Sequence, residues 1–203
     1  FDIIINQTIC SSYVKSINYK KNLNLNGKIS FIDVGFNKTS IVSFNDDKLI
    51  SLDILPIGGN HITKDISKIL KIDLEQAETL KINFIQKQKI LNQENFSIET
   101  VEKIIFSRIE EILELSIKSI KSNSFESGYF KIILTGGGSK ILNNEYKNKI
   151  SLFKDVDFLE ENTLDICQSG FQLGMGINKQ EVVLVPKKQI KQGFFEKLFH
   201  FFK

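Results

Sequence analysis

The fold is decided by the stretch KISFIDVGFNKTSIVSFNDDKLISLDIL, residues 28–55. Short runs rich in β-branched and aromatic residues alternate in it with turn-forming residues, a pattern typical of β-strands. These runs predict three strands, Lys28–Asp33, Ser40–Phe44 and Lys48–Leu55. The second turn is Asn45-Asp46-Asp47, whose residue types favour tight turns. The stretch therefore predicts a β-meander.

Helical patterns follow the meander. After a Pro-Ile-Gly-Gly break, apolar residues recur at helical spacing over residues 60–70. Asp73 followed by Gln76 is typical of a capping box and predicts a second helix to about residue 85. Ser97 is a suitable N-cap for a long helix that runs to about residue 120.

The rest of the chain adds strands and a glycine-rich turn. Phe130–Leu134 predicts a buried strand, which Thr135-Gly136-Gly137-Gly138-Ser139 follows as a turn into a helix. A short strand is predicted at Val156–Leu159 and a helix at Ile166–Ile177. Residues 1–20 have no clean period, and we expect them to be a strand and a helix left over from a preceding domain. The overall prediction is a mixed α/β fold.

Composition excludes several classes of protein. The 203 residues are 41% hydrophobic and 25% charged, as in a folded domain or two small lobes. The net charge of +3 is too small for a general nucleic-acid binder, so no nucleic-acid partner is expected. Residues 186–203 hold five Lys and one Glu, or +4, which leaves 3 − 4 = −1 for the rest. A partner of opposite charge is therefore expected at the tail.

Two turns are candidate anion sites. The turn Asp33–Thr39 lies between two strands, where successive backbone N–H groups make an anion site and the aspartate can hold a cation through water. The alternative is an ordinary hairpin turn. Glycines 136–138 let a backbone approach a ligand closely, and the helix that follows favours anions at its N-terminus. The alternative there is merely a tight turn.

The C-terminal segment, residues 193–203, predicts an amphipathic helix. At 100° per residue its apolar side chains share one face and its polar ones the other. The face expected to bind membrane comprises Phe194, Phe195, Leu198, Phe199, Phe201 and Phe202, flanked by Lys197 and Lys203. The helix is too short to span a bilayer but suits its interface. The alternative is docking on its own domain.

Other kinds of site are not predicted. His61 and His200 have no ligand cluster around them, and Cys10 and Cys167 lie far apart without metal-ligand spacing, so no metal site is expected. No arrangement of Ser, His and Asp or of Cys and His indicates a catalytic residue.

Four motifs, in order along the chain, resemble those of the FtsA family of bacterial cell-division proteins, within the actin superfamily of ATPases. They are Phe31–Gly35 through Thr39, similar to the second phosphate loop; Leu55–Ile66, similar to a Gly-Gly-Asp/Asn-His-Ile-Thr stretch; Leu74–Lys81, similar to a Glu-x-Ala-Glu-x-x-Lys helix; and Ile133–Ser139, similar to the adenosine motif. The terminal amphipathic segment is similar to the family's membrane-targeting sequence. The resemblance covers about residues 25–203.

The resemblance implies an actin-like, ribonuclease-H-like α/β ATPase domain with a small inserted subdomain and a C-terminal amphipathic helix. Residues 1–24 would be a remnant of the first domain, which we expect this chain to lack. Residues 25–75 and 126–180 would form the second large subdomain and 76–125 the inserted one. Residues 181–192 would be a linker before the helix at 193–203.

The resemblance also implies a set of cofactor contacts. The family binds ATP with Mg²⁺, and the matching positions are Asp33, Gly35, Thr39, Glu78, Lys81, Gly136, Gly137, Gly138 and Ser139. Glu78 and Lys81 would contact the nucleoside. A full phosphate loop has Gly, Gly, Thr and Asp at the positions where this sequence has Phe36, Asn37, Lys38 and Ser40. With that loop degraded and a first domain absent, we expect weak nucleotide binding and no measurable hydrolysis.

The function implied is division-ring attachment. The protein would tether the FtsZ ring to the cytoplasmic face of the inner membrane at the septum, recruit later division proteins and self-associate into actin-like filaments. Arg108 matches a basic position that the family uses to bind the C-terminal peptide of FtsZ. The alternatives are another ATPase of the superfamily, such as a chaperone or sugar kinase, and a pilus-assembly actin-like protein.

Overall fold

The computed structural model describes residues 8–86, 97–123, 130–141, 156–161 and 163–175. Five strands are described: β1 (Lys28–Val34), β2 (Thr39–Asn45), β3 (Lys48–Leu55), β4 (Lys131–Thr135) and β5 (Val156–Phe158). The described α-helices are α1 (Ser11–Asn22), α2 (Gly59–Leu70), α3 (Leu74–Ile85), α4 (Ile98–Asn123) and α5 (Thr163–Gly174). A short 3-10 helix, Gly137–Ile141, follows β4.

The five strands form one mixed sheet in the order β3-β2-β1-β4-β5. β2 pairs antiparallel with both β1 and β3, whereas β4 pairs parallel with β1 and β5. Ile32 at the centre of β1 is paired with Ile41 on one side and Leu134 on the other. β1 is therefore the strand at which the sheet changes from antiparallel to parallel pairing.

Each face of the sheet has its own apolar core. Ile32 and Val34 of β1 belong to one core, which side chains from α2, α3 and α4 complete. Ile29 and Phe31 of β1 belong to the other core, with Tyr13, Ile17 and Tyr19 of α1. Because successive strand side chains point to opposite faces, Asp33 falls on the α1 face.

The predicted strands and helices that fall on the described residues are confirmed. The three meander strands, β4, β5 and the helices at 60–70, 73–85 and 97–120 are present within a few residues of their predicted bounds. The Asp73 carboxylate accepts a hydrogen bond from the Gln76 N–H at 2.8 Å and caps α3. The glycine turn leads into a 3-10 helix, Gly137–Ile141, and the helix predicted to follow the turn lies largely outside the described residues.

The N-terminal helix α1 packs on the sheet. Its residues share a core with β1 and β2, and it also contacts α5. The helix expected as the remnant of a preceding domain thus contributes to the core of this one. The division into a large and an inserted subdomain stays a prediction. No helix among the described residues has the length and apolar character needed to cross a bilayer.

The glycine turn after β4 packs directly on the end of β1. Gly136 has a φ of +92°, and a Cβ there would lie 2.4 Å from Oδ1 of Asp33 and 2.6 Å from the carbonyl oxygen of Val34. A Cβ at Gly138 would lie 2.5 Å from a methyl group of Val34. Both positions therefore exclude any side chain, whereas a Cβ at Gly137 would meet nothing within 4 Å.

We predict that Gly136→Ala destabilises the protein strongly and that Gly137→Ala does not. The first substitution combines a disfavoured backbone conformation with overpacking, together about 2–4 kcal/mol. The second enters open space and changes the free energy of unfolding by less than about 0.5 kcal/mol. Urea denaturation of the two variants and the wild type measures both values. Equal stabilities for the two variants would contradict the packing of Gly136 on β1.

Candidate functional site

The carboxyl ends of β1 and β4 meet at one edge of the sheet, the position where α/β sheets bind ligands. Asp33 ends β1 and pairs in register with Thr135, which ends β4. Gly136 follows and touches the Asp33 carboxylate. The structure thus brings together two of the predicted motifs, the phosphate loop and the glycine turn.

The predicted phosphate loop is closed by hydrogen bonds within the protein. The Gly35 N–H donates to the Lys38 carbonyl at 3.0 Å, and the Thr39 hydroxyl donates to the Ile57 carbonyl at 2.7 Å. The first N–H groups of α2, on Gly59 and Asn60, donate to loop carbonyls at 2.9 and 2.7 Å. The α2 N-terminus, which would otherwise attract an anion, is therefore bonded to the loop.

The Asp33 carboxylate is buried and bonded to α1. Oδ2 accepts from the Ser12 hydroxyl at 2.7 Å, and the Lys15 ammonium lies 3.2 Å from Oδ2 and 3.4 Å from Oδ1. Lys15 also forms an ion pair with Glu161, just beyond β5. Burial would lower the pKa of Lys15, but its hydrogen bond to Glu161 and the nearby charge of Asp33 outweigh burial and raise that pKa.

A magnesium ion does not fit at Asp33. Mg²⁺ requires near-octahedral oxygen coordination and retains several waters. Only 8% of Asp33 is exposed, both of its oxygens have donors, and the Gly136 backbone closes one side. No group of three or more metal-ligating side chains occurs in the ranges that the structure describes.

Glu78 and Lys81 form a second polar cluster beside the loop. The Lys81 ammonium donates to the Gly59 carbonyl at 3.2 Å, the Thr63 hydroxyl at 2.8 Å and Glu78 at 2.7 Å. It also lies 6.0 Å from the centre of the Phe36 ring, on the predicted phosphate loop. α3, which carries the pair, contacts the 3-10 helix as well. The two residues predicted to contact a nucleoside are thus next to both predicted motifs.

The Glu78 carboxyl has a lowered pKa. Burial acts to raise it, but hydrogen bonds from Lys81 and Thr63 and the charge of Lys81 stabilise the ionised form more. The charged pair within α3 therefore joins that helix to α2 through hydrogen bonds to Thr63 and to the Gly59 carbonyl.

Within the glycine turn, Gly137 faces open space. The Ser139 hydroxyl is not available to a ligand, because it donates to the Gly136 carbonyl at 2.7 Å. A cavity of about 860 Å³ borders Gly136 and Ser139 and extends to Lys140 and Glu161. Sequence reasoning missed Ser12, Lys15 and Glu161, which come from distant segments that carry no local motif.

Arg108 is bonded within the chain. Its guanidinium, on α4, makes a bidentate pair with Asp65 on α2, with N···O distances of 2.5 and 2.9 Å, and also contacts Glu111. The hydrogen bond to Asp65 and both acidic charges raise the pKa of Arg108 against the effect of burial. These partners are not among the predicted cofactor residues, so Arg108 is a separate feature.

The predicted membrane-binding residues lie outside the described residues. They are Phe194, Phe195, Lys197, Leu198, Phe199, Phe201, Phe202 and Lys203. Their role stays a prediction from sequence.

We predict that Glu78→Gln destabilises the protein by about 1 kcal/mol at pH 7, a small value because a third of Glu78 is exposed. A lowered carboxyl pKa adds stability above the ordinary value of 4.5, and this stability is lost as the pH falls through the lowered value. The difference in the free energy of unfolding between the wild type and Glu78→Gln should therefore disappear below pH 4.5. Urea midpoints from pH 7 to pH 3 measure it, with Glu110→Gln on the exposed face of α4 as the surface control. A gap that persists at pH 3 would contradict this assignment.

Comparison with known proteins places this geometry in a family. A family model described as cell division protein FtsA matches residues 30–164. The FtsA of Bacillus subtilis is 27% identical over 73% of this chain and 37% of the relative. The FtsA of Rhizobium meliloti is 31% identical over 54% of this chain and 29% of the relative. The FtsA of Buchnera aphidicola subsp. Acyrthosiphon pisum is 25% identical over 98% of this chain and 55% of the relative. The chain thus covers 29–55% of the length of these relatives.

Solved structures confirm the actin-like fold. MreB5 of Spiroplasma citri bound to ADP superposes with a TM-score of 0.61 at 17% identity, over 83% of this chain and 60% of that one. The archaeal actin homologue Ta0583 gives 0.53 at 17% identity, over 80% and 54%. The PilM–PilN complex of type IV pilus biogenesis gives 0.60 at 17% identity, over 81% and 45%. Since the family model matches more than half of the sequence, the chain belongs to the FtsA family of cell division proteins.

Proposed function

We propose that this protein tethers the FtsZ ring to the cytoplasmic face of the inner membrane at the septum and recruits later division proteins. Its membership of the FtsA family, through residues 30–164, is the observation that carries the proposal. The pilus alternative is weaker, because the likeness to PilM–PilN, at 17% identity, concerns the fold alone.

The terminal sequence supports membrane attachment. Residues 193–203 contain five Phe and one Leu at helical spacing, and two Lys lie among or beside them. Such a segment inserts aromatic side chains at the lipid interface while its cations meet anionic headgroups. The preceding residues 186–192 add three Lys and no acidic residue.

Self-association of the protein would strengthen its proposed attachment to the membrane. A single short interfacial helix binds a membrane weakly and reversibly, whereas several helices on one assembly bind with avidity. The actin-like fold, shared with MreB5 and Ta0583, is compatible with filament formation. We therefore include self-association in the proposal.

The sheet edge is proposed as a nucleotide-contact surface without hydrolytic activity. Gly137 gives close backbone access, and Glu78 and Lys81 lie nearby on α3. Asp33 is paired with Lys15, and the loop amides at Gly35 and Gly59 donate to backbone carbonyls. These bonds leave few groups to bind phosphates. We therefore propose that the chain contacts nucleotide without hydrolysing it and that its main role is to attach the FtsZ ring to the membrane.

We predict that the full chain floats with anionic liposomes and that a chain ending at Ile190 does not. Phe199→Ser with Phe202→Ser should abolish flotation, because it removes two large apolar side chains from the membrane-facing side. The matched control, Glu196→Ser with His200→Ser on the polar face, should float like the wild type. Flotation of all four proteins, or of none, would contradict the membrane role.

We predict that Arg108→Ala weakens binding of the FtsZ C-terminal peptide about tenfold and that Asp65→Asn strengthens it. The Arg108 guanidinium must exchange Asp65 for a peptide carboxylate, and Asp65→Asn weakens the internal competitor. Fluorescence anisotropy of the labelled peptide measures both affinities. Lys103→Ala, an exposed cation on the same helix, should leave binding unchanged. Unchanged affinity in both the Arg108 and Asp65 variants would remove Arg108 from the binding surface.

A further inference from the structure

We infer that the Lys15 ammonium occupies the place of a divalent metal ion beside Asp33, so that this sheet edge binds neither Mg²⁺ nor Mn²⁺. The inference rests on the geometry of the α1 face and does not depend on the proposed membrane role. It concerns the cation at Asp33.

Lys15 is placed as a bound cation would be. Its ammonium lies 3.2 and 3.4 Å from the two Asp33 oxygens and also contacts the Glu161 carboxylate. The three side chains are 10–22% exposed. One positive charge thus sits between two carboxylates that come from different parts of the chain, the end of β1 and the segment after β5.

The charges explain why a cation is required there. Two carboxylates that meet at one point repel each other strongly where water is scarce, and a shared cation removes that repulsion. With Lys15 the cluster has a net charge of −1. Without it the net charge would be −2, with both carboxylates directed at one vacated position, an arrangement that favours a divalent ion.

Within the described ranges, the other groups next to the Asp33 carboxylate carry no charge. The Ser12 hydroxyl donates to Oδ2 of Asp33, and the Gly136 backbone covers Oδ1. The buried Tyr19 phenol also lies near the cluster, and burial raises its pKa, which keeps it neutral. Lys15 is thus the cation that the described surroundings of Asp33 provide.

Manganese binding tests the inference. We would titrate Mn²⁺ against the full chain, with free Mn²⁺ measured by electron paramagnetic resonance, in the wild type, Asp33→Asn, Lys15→Met, the Lys15→Met/Asp33→Asn double variant and Lys20→Met. Lys20 is the matched control, a buried lysine on the same helix that pairs with Asp47. Thermal unfolding of each protein with and without Mn²⁺ provides a second readout.

Wild type, Asp33→Asn and Lys20→Met should bind Mn²⁺ equally poorly. Lys15→Met should gain one site, which a further Asp33→Asn substitution removes. Mn²⁺ at ten times the dissociation constant should raise its unfolding midpoint by about 3 °C or more.

Two results would overturn the inference. One is a Mn²⁺ site in the wild type that Asp33→Asn abolishes. The other is a folded Lys15→Met protein that gains no site. If Lys15→Met does not fold, the comparison of wild type with Asp33→Asn decides the question, and poor binding by both supports the inference. Flotation of the wild type with liposomes is measured separately, so failure of the membrane role and failure of this inference are distinguishable.

Discussion

The burial of the Asp33 carboxylate at the end of the central strand is the constraint on which the rest of the structure depends. A buried charge is strongly destabilising without a partner. The partners come from both sides of the sequence: Ser12 and Lys15 on α1, and Glu161 after β5 through Lys15. Satisfying this one carboxylate therefore fixes α1 against the sheet and ties the last described strand to the first helix.

The glycines at the same edge follow from close packing around β1. Gly136 and Gly138 lie against Val34, and a Cβ at Gly58 would lie 2.5 Å from the Gly35 carbonyl oxygen. The motifs that resemble nucleotide loops are thus also packing motifs, whose backbone groups are already bonded to one another. In this chain the actin-like architecture is retained, while the groups that would handle a metal and phosphate are used internally. This use of the groups agrees with the attachment role proposed above.

Sequence reasoning predicted the fold well, because the meander strands, the N-cap at Asp73 and the glycine turn are local signals that burial reinforces. The structure also brings the phosphate loop and the glycine turn to one edge, because the carboxyl ends of the parallel strands β1 and β4 meet there. Sequence reasoning missed Lys15 and Glu161, which are 146 residues apart and meet only in the folded sheet. It did not specify the conformation of the glycine turn, where Ser139 bonds back to Gly136 within a 3-10 helix. Arg108 was assigned to a partner, and its bidentate pair with Asp65 was not visible from spacing.

The most direct test of this account is a high-resolution crystal structure of the full chain grown with Mn²⁺, with an anomalous difference map to locate manganese. The account predicts the Lys15 ammonium within 3.5 Å of Asp33, as in the 3.2 and 3.4 Å contacts described here, and no manganese peak beside that carboxylate. A manganese peak next to Asp33, with the Lys15 side chain turned away, would contradict it.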